Sequence, residues 1–283
     1  RDDPSTLWGR VDAVVSRASS RMVGTLFLRD GQARVRVDGT TLAHSLRVGD
    51  ASAKGARAGD LVVVEILRMP TPEDAHGEGV ILEVLGPRGA AGVDLLAVIR
   101  NHALPDTFPA EVLEEAHHQA ENFREDGISG RTDFTRDFVI TIDPADAKDH
   151  DDAVHAAIDP DPDNPGGFIL TVAIADVAHY VRPGSALDAD ARVRGNSVYF
   201  PDRVVPMLPE ALSNGWCSLR PNEDRGCLFV EMHVGADGRK RSHRFGRGLM
   251  RSAARWTYEA IDAERDRHPA LYAAYKALLS ART

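Results

Sequence analysis

The chain has 283 residues, 43% of them hydrophobic, which is enough to bury a core and suggests about two domains. Its net charge of -9 counts against a general polyanion-binding protein, so any nucleic-acid surface has to be local or assisted by a metal. No apolar run approaches the roughly 20 residues of a membrane helix, and no secretory signal is recognisable, so a cytoplasmic protein without membrane contact is expected.

The first region, residues 1–86, is predicted to form a small antiparallel OB-like β-barrel. Short segments rich in Val and Leu alternate with turn residues such as Asp30-Gly31, which is typical of such barrels. Barrels of this kind often carry single-stranded nucleic acid, but Phe27 is almost the only aromatic residue here, so the fold alone supports binding weakly. The predicted strands are Val11–Val15, Met22–Leu28, Ala33–Val37, Leu61–Ile66 and Gly79–Val84.

Residues 87–131 are predicted to be a connector. Pro87-Arg88-Gly89 breaks the chain, Leu95–Asn101 resumes regular structure, and Pro109–Phe123 has helical spacing with acidic residues in its first turn. His117 and His118 lie on this predicted helix among glutamates, and a solvated helix face is expected there rather than a metal site.

Residues 132–283 mix longer strands with helices, which predicts a mixed α+β domain after the barrel. Cys217 and Cys227 lie in this region without a companion pair, and two reduced core thiols are expected rather than a disulfide or zinc ligands. The predicted elements are strands at Asp137–Ile142 and Phe168–Val177, helices at Ala186–Arg194, Tyr258–Glu264 and Pro269–Leu279, and a hairpin of Cys227–Val234 with Ser242–Met250.

Five aspartates follow the first of these strands directly, and only Lys148 offers them a fixed countercharge. Carboxylates held this close repel one another, and they take up protons or splay apart unless a cation lies between them. Oxygen ligands without cysteine suit Mg²⁺ far better than zinc, so the cluster predicts a magnesium site, with Mn²⁺ as the alternative. The aspartates are Asp143, Asp146, Asp149, Asp151 and Asp152.

The competing interpretation of the cluster is an acidic turn fully exposed to water. Apolar sequence at Phe138–Ile142 and Ala153–Ile158 argues against it, because the carboxylates leave and re-enter a predicted core. The EF-hand template fails as well, since Lys148 stands where it requires Gly. One or two magnesium ions here can serve in-line displacement at phosphorus, but the spacing does not distinguish a phosphodiesterase from a phosphatase or a nucleotidyl transferase. The later run Asp159–Asp163, with its prolines, predicts a plain turn.

Ile142–Ala153, with the sequence IDPADAKDHDDA, resembles the acidic signature of the ribonuclease II (RNB) family. The region before it is similar, less sharply, to the cold-shock barrel that precedes the catalytic domain in the ribonuclease R members, to which the chain is most similar. The resemblance implies a cold-shock barrel at 1–86, a connector at 87–131 and the N-terminal portion of an RNB catalytic domain at 132–283. Further blocks continue the match in order at Val172–Val181, Gly195–Pro201, Pro206–Pro209 and Leu212–Leu219.

The resemblance implies a magnesium-dependent hydrolytic exoribonuclease that takes single-stranded RNA by its 3′ end and releases nucleoside 5′-monophosphates. By position in the motif, Asp143 and Asp152 match direct metal ligands, Asp149 matches a residue supporting the metal or its water shell, and Asp151 matches the acid most tied to catalysis. Tyr199 matches an aromatic residue that stacks on the 3′ nucleotide, whereas its local pattern alone predicts a strand core residue.

Other polar residues of the second region have less specific signals. Asp176 and His179 follow an apolar strand, and structural hydrogen bonding is expected for both rather than acid–base catalysis. Six cations crowd the second half of the hairpin, where alternation splits them between two faces, so that some are expected to reach RNA phosphates and others water. They are Arg239, Lys240, Arg241, Arg244, Arg247 and Arg251.

Family members continue with the rest of the catalytic domain, an arginine-bearing segment and a further RNA-binding barrel. We therefore expect this chain alone to be a weak or inactive nuclease, although its parent protein is an enzyme. The alternative from another class is a non-catalytic RNA-binding or regulatory homologue, against which the complete set of signature carboxylates argues. A phosphatase or transferase acting on small molecules is a third hypothesis, and no Gly-rich phosphate loop supports it.

Overall fold

The computed structural model describes residues 12, 20–39, 42, 44–126 and 129–282. The chain divides into two compact units, Arg1–Asp106 and Thr107–Thr283. Their boundary falls inside the predicted connector, whose limits at 87 and 131 stay a prediction. No helix in the described part of the chain is long and apolar enough to cross a membrane.

The first unit is built on five strands, and these close into a barrel. They are β1 (Arg21–Arg29), β2 (Gln32–Val37), β3 (Leu46–Val48), β4 (Asp60–Arg68) and β5 (Glu78–Pro87). Their spatial order is β1-β2-β3-β5-β4, and every pair is antiparallel except β3 with β5. The predicted OB-like barrel is confirmed, and it carries one parallel pair that strand alternation does not reveal.

Alternating apolar residues fill this barrel, with Leu26, Val35 and Val62 almost fully buried. Asp30 and Gly31 join β1 to β2 with φ values of 55° and 74°, the left-handed conformation that a tight hairpin turn requires. The first helix, α1 (Val93–Asn101), packs against the outside of β1 and β4. Of the predicted strand Val11–Val15, only Asp12 belongs to the described residues.

The second unit contains a second closed barrel and a separate pair of short strands. The strands of this unit are β6 (Thr132–Asp143), β7 (Asp152–Ile158), β8 (Phe168–Ala175), β9 (Val198–Tyr199), β10 (Val204–Val205), β11 (Asp224–Val234) and β12 (Lys240–Thr257). The barrel order is β11-β12-β6-β7-β8, and β9 forms a separate two-stranded sheet with β10. β12 runs parallel to β6, and the other barrel pairs are antiparallel. Small and aromatic residues such as Ala153, Ala173 and Phe229 alternate into the core.

Four helices of this unit lie close to where the sequence predicts them, whereas Val177, predicted to end a strand, begins a short helix. The helices are α2 (Ala110–Asp126), α3 (Val177–Tyr180), α4 (Ala186–Arg194), α5 (Tyr258–Ala263) and α6 (Pro269–Arg282), with a π-helical turn at Ala211–Trp216. The α4 helix begins after Ser185, whose Oγ accepts a hydrogen bond from the backbone N of Asp188 at 3.2 Å and so caps the helix. The predicted mixed α+β architecture is confirmed.

The two cysteines and the two histidines of α2 lie in the surroundings that the sequence predicts. Cys217 and Cys227 are free and buried, as expected, and burial raises the pKa of Cys217 to about 12 and that of Cys227 to about 11. Both thiols therefore stay protonated and inert at neutral pH. His117 and His118 are exposed on α2, which supports the solvated helix face.

Candidate metal and RNA site

The acidic segment connects β6 to β7 at one end of the second barrel. Asp143 is the last residue of β6 and Asp152 is the first residue of β7, so the strands fix both carboxylates at the rim. The loop between them is tied down through its backbone: the carbonyl oxygen of Asp151 accepts a hydrogen bond from the N of Ala175 at 2.8 Å. The aspartates therefore belong to a held loop rather than to a free acidic turn.

Asp143 is a buried carboxylate with a partner. Asp143 is 6% exposed, and its Oδ2 accepts a hydrogen bond from Nδ1 of the buried His150 at 3.0 Å. A buried carboxylate is costly unless hydrogen bonds or charges compensate it, which explains why such a donor faces it. One carboxylate oxygen of Asp143 is therefore fixed by the protein itself.

Asp152 shows the mutual repulsion of the cluster. Burial raises the pKa of its carboxyl, and the negative charges of Asp151 and Asp143 raise that pKa further. A like charge disfavours the ionised form, so burial and the two neighbouring carboxylates act in the same direction on Asp152. A divalent cation placed among them relieves this repulsion, and hard oxygen donors without sulfur match Mg²⁺ or Mn²⁺. The donor set therefore fits the ion predicted from the sequence.

The five aspartates differ in exposure. Asp149 is half-buried, whereas Asp146 and Asp151, like Asp152, are exposed. Among the described residues, no three His, Cys, Asp or Glu side chains converge into a preformed metal site. The structure therefore brings Asp143, Asp151 and Asp152 into electrostatic contact but does not assemble a complete coordination shell.

Arg255 on β12 holds the same loop from the outside. Its Nη2 donates to the carbonyl oxygens of Ala145 and Ala147, each at 3.1 Å, and lies 3.5 Å from that of Pro144. The guanidinium thus binds the loop through three of its backbone carbonyl oxygens.

Tyr199 lies in the short β9 strand, paired with Val204 of β10. Tyr199 is 70% exposed, so its interpretation as a strand core residue is wrong. Val205 of the paired strand is buried instead, so the ribbon has a covered face that Tyr199 does not share. Within the described residues, no hydrogen bond or ion pair joins Tyr199 to the acidic loop, and its stacking role stays a prediction.

Asp176 and His179 are structural in their surroundings. The fully buried Asp176 accepts a hydrogen bond from Nη2 of Arg131 at 2.6 Å and lies 3.5 Å from Nε of Arg247. His179 is buried, and burial lowers its pKa, as does the positive charge of Arg182. These contacts favour the structural interpretation for both residues.

Most of the hairpin cations are already paired with carboxylates. Arg244 makes two hydrogen bonds to Glu231, at 2.8 and 3.1 Å, and Arg251 donates to Asp224 at 2.7 Å. Arg241 likewise pairs with Asp237 at 3.1 Å. The hairpin therefore balances much of its own charge, which weakens the expectation that it reaches RNA phosphates.

A family model described as the RNB domain matches residues 131–276, more than half of the chain. The chain belongs to the RNB, or ribonuclease II, family. A cold shock domain model matches residues 35–109 and agrees with the barrel of the first unit. The family resemblance read from the acidic signature is thereby confirmed.

The relatives of this RNB chain include ribonuclease R of Acidithiobacillus ferrooxidans, 42% identical over 257 residues, which cover 90% of the chain and 57% of the relative. The structure of Mycoplasma genitalium RNase R in complex with ribose methylated single-stranded RNA has a TM-score of 0.84 at 24% identity, over 95% of this chain and 44% of that one. Yeast Ssd1, described as a pseudonuclease, shares the fold with a TM-score of 0.66 at 18% identity, over 89% and 32%. The chain thus spans little more than half of the first relative and less than half of either solved chain.

Sequence inspection of this RNB chain missed two residues that shape the site. His150 stands inside the acidic signature, but its type gives no indication that its ring turns inward to Asp143. Arg255 lies more than 100 positions away, and only the parallel pairing of β12 with β6, which places Arg255 beside Thr141, brings it to the loop. The hairpin cations, which the sequence did single out, are largely engaged elsewhere.

Proposed function

We propose that the complete protein carrying this sequence is a magnesium-dependent hydrolytic exoribonuclease of the cytoplasm. It degrades single-stranded RNA from the 3′ end and releases nucleoside 5′-monophosphates. Membership of the RNB family and the ribonuclease R relatives support RNA as the substrate class. The observation that carries the proposal is the placement of Asp143 at the end of β6 and Asp152 at the start of β7, with Asp151 beside it. Burial there, and after it the charges of Asp151 and Asp143, raises the pKa of Asp152.

Each residue of the site has a proposed role. Asp143 and Asp152 hold the magnesium ion, or Mn²⁺, through carboxylate oxygens, and Asp149 supports it or its water shell. When bound, the ion polarises a phosphoryl oxygen and lowers the pKa of water. Asp151, exposed beside Asp152, orients the attacking water as a hydrogen-bond acceptor and takes up its proton. The exposed ring of Tyr199 stacks on the base at the 3′ end, which any base sequence permits.

The direction and the metal requirement are tested with labelled RNA. The complete protein is incubated with single-stranded RNA labelled at either its 3′ or its 5′ end, with magnesium or with EDTA. A 3′ label released at once as a mononucleotide, only with magnesium, supports the proposal. A 5′ label released at once contradicts the direction, and release in EDTA contradicts the metal requirement.

Asp151→Asn is expected to abolish hydrolysis while RNA binding survives. Loss of a positioned general base costs roughly 10²- to 10⁴-fold in rate, and the amide keeps the shape of the carboxylate. Single-turnover cleavage and RNA affinity are measured on the same preparations. Asp146→Asn, an exposed residue of the same loop, is the matched control and is expected to cleave normally. A normal rate for Asp151→Asn contradicts the assignment.

The alternative is a non-catalytic RNA-binding or regulatory homologue, since the pseudonuclease Ssd1 has the same fold. The carboxylates of the cluster argue against it, because a binder that holds no cation there repels the phosphates of its own ligand. Retention of intact RNA by the complete protein in magnesium supports this alternative. The isolated chain is expected to be a weak or inactive nuclease in either case, because it spans only 57% of its ribonuclease R relative.

A further inference from the structure

We propose that His150 is a positioning residue that sets the orientation of the Asp143 carboxylate for cation binding. The inference rests on the proposed function, because it concerns the same metal site. Its starting point is a contact between two buried side chains: Nδ1 of His150 lies 3.0 Å from Oδ2 of Asp143, and their side chains are 7% and 9% exposed. Water therefore competes little with this hydrogen bond.

The chemistry of the two groups fixes the direction of the bond. A carboxylate only accepts hydrogen bonds, so Nδ1 of His150 carries the proton and donates it. Oδ2 of Asp143 is thereby held, and its other oxygen, Oδ1, is the one left for a cation. Fixing one oxygen also restricts rotation of the carboxylate, so that less side-chain freedom is lost when a cation binds.

The backbone of His150 is itself held from a distant segment. Its N donates to Oγ of Ser218 at 3.1 Å, and its carbonyl oxygen accepts from the N of Leu219 at 2.7 Å. Ser218 and Leu219 are both fully buried. The imidazole cannot follow a movement of Asp143, because its own backbone is anchored on residues outside the acidic loop. The geometry is a bracket of three parts: the 218–219 segment, His150 and Asp143.

A hydrogen bond to a metal ligand orients the ligand and strengthens binding, and losing such a partner typically costs 10- to 100-fold in metal affinity. The experiment measures Mn²⁺ binding to the full chain by the EPR signal of free Mn²⁺, without RNA. His150→Leu removes the donor and is expected to weaken Mn²⁺ binding by about 10- to 100-fold. His150→Asn retains an N–H donor near the position of Nδ1 and is expected to restore affinity to within about threefold of the wild type.

The matched control is His155→Leu. His155 is a half-buried histidine of β7 whose Nδ1 hydrogen-bonds the carbonyl oxygen of Phe138 at 3.1 Å, and its loss is expected to leave Mn²⁺ affinity unchanged. An equal effect of both leucine variants indicates a general loss of structure and overturns the positioning role. Equal affinity of wild type and a folded His150→Leu also overturns it.

Failure of the proposed metal site gives a different result, because the wild type itself then binds no Mn²⁺. If His150→Leu does not fold by near-UV circular dichroism, Ser218→Ala provides the second test. It removes the acceptor of the His150 N–H and leaves both side chains of the hydrogen bond in place. An affinity reduced by about threefold or more supports the bracket, and unchanged affinity overturns it.

Discussion

Asp159 shows how a single buried carboxylate can hold a turn in place. Its side chain is 1% exposed, and its Oδ2 accepts hydrogen bonds from Nδ2 of Asn164 at 2.9 Å and from Nδ1 of His233 at 2.7 Å. The hydrogen bond from Asn164, and after it the one from His233, lowers the pKa of Asp159 to about 2. The turn predicted from the prolines of Asp159–Asp163 is present, but it is fastened to β11 through His233, which composition does not indicate.

We predict that Asp159→Asn destabilises the chain above about pH 4 and that the difference from wild type shrinks towards pH 2. The folded-state pKa lies below the ordinary aspartate value of 3.8, so the unfolded state binds more protons between these limits and stability rises with pH there. Melting temperatures of both proteins across this range provide the measurement. Asp163→Asn, exposed in the same turn, is the control. A difference that persists unchanged at pH 2 contradicts the explanation by the lowered pKa of Asp159.

At the scale of elements, one buried arginine makes hydrogen bonds to several strands of the second barrel. Arg131 precedes β6, and its Nη1 lies 3.3 Å from the carbonyl oxygens of both Cys227 on β11 and Gly248 on β12. Its Nη2 binds Asp176 at the end of β8. The side chains of Arg131 and Asp176 are 4% and 0% exposed. Water cannot replace these contacts, so the pairing helps to define the end of the barrel.

We predict that Arg131→Met costs about 3–5 kcal/mol in free energy of unfolding, because it leaves the buried Asp176 with only the longer contact to Arg247. Urea titration of the full chain measures it. Arg251→Met breaks the ion pair with Asp224, whose two side chains are 50% and 41% exposed. That surface pair is expected to contribute about 1 kcal/mol or less. Equal costs for both variants contradict the role of burial.

At the scale of the whole molecule, local sequence signals predicted most elements. Turn residues such as Asp30-Gly31 located the strands of the first barrel, and the helix at Ala186–Arg194 has the predicted bounds. The acidic signature also marked the candidate metal site, whose Asp143 and Asp152 lie at the end of β6 and the start of β7. Metal binding there stays a prediction. These features depend on neighbours within a few residues, which a single sequence displays.

Features that depend on distant pairing could not be predicted. The closure of the second barrel requires β12 to run parallel to β6, and that pairing alone brings Arg255 to the acidic loop. The inward turn of His150 depends on Ser218, nearly 70 positions along the chain. The exposure of Tyr199 was misjudged because a strand of two residues shows no alternation that would tell which side chain faces the core. Tertiary contacts, rather than propensity, determine these positions.

The overall charge of -9 bears on where the proposed contacts to RNA can lie. A cation releases counterions from RNA only if it is free to bind a phosphate, and Arg244 is already engaged by Glu231. Arg36, exposed on β2 opposite Thr25, has no ion-pair partner among the described residues. Positive potential for RNA is therefore expected from single unpaired cations of this kind rather than from the arginine-rich hairpin.

We predict that Arg36→Gln lowers the slope of log affinity against log salt concentration by about 0.7, the value for one phosphate contact on a single strand. Arg244→Gln is expected to leave that slope unchanged, since removing it also frees Glu231 and does not remove an available cation. Fluorescence anisotropy of a labelled single-stranded RNA in EDTA, between about 50 and 300 mM KCl, measures both. EDTA removes divalent ions, so neither cleavage nor metal bridging contributes to the slope. A slope reduced by Arg244→Gln but not by Arg36→Gln places the phosphate contacts on the hairpin instead.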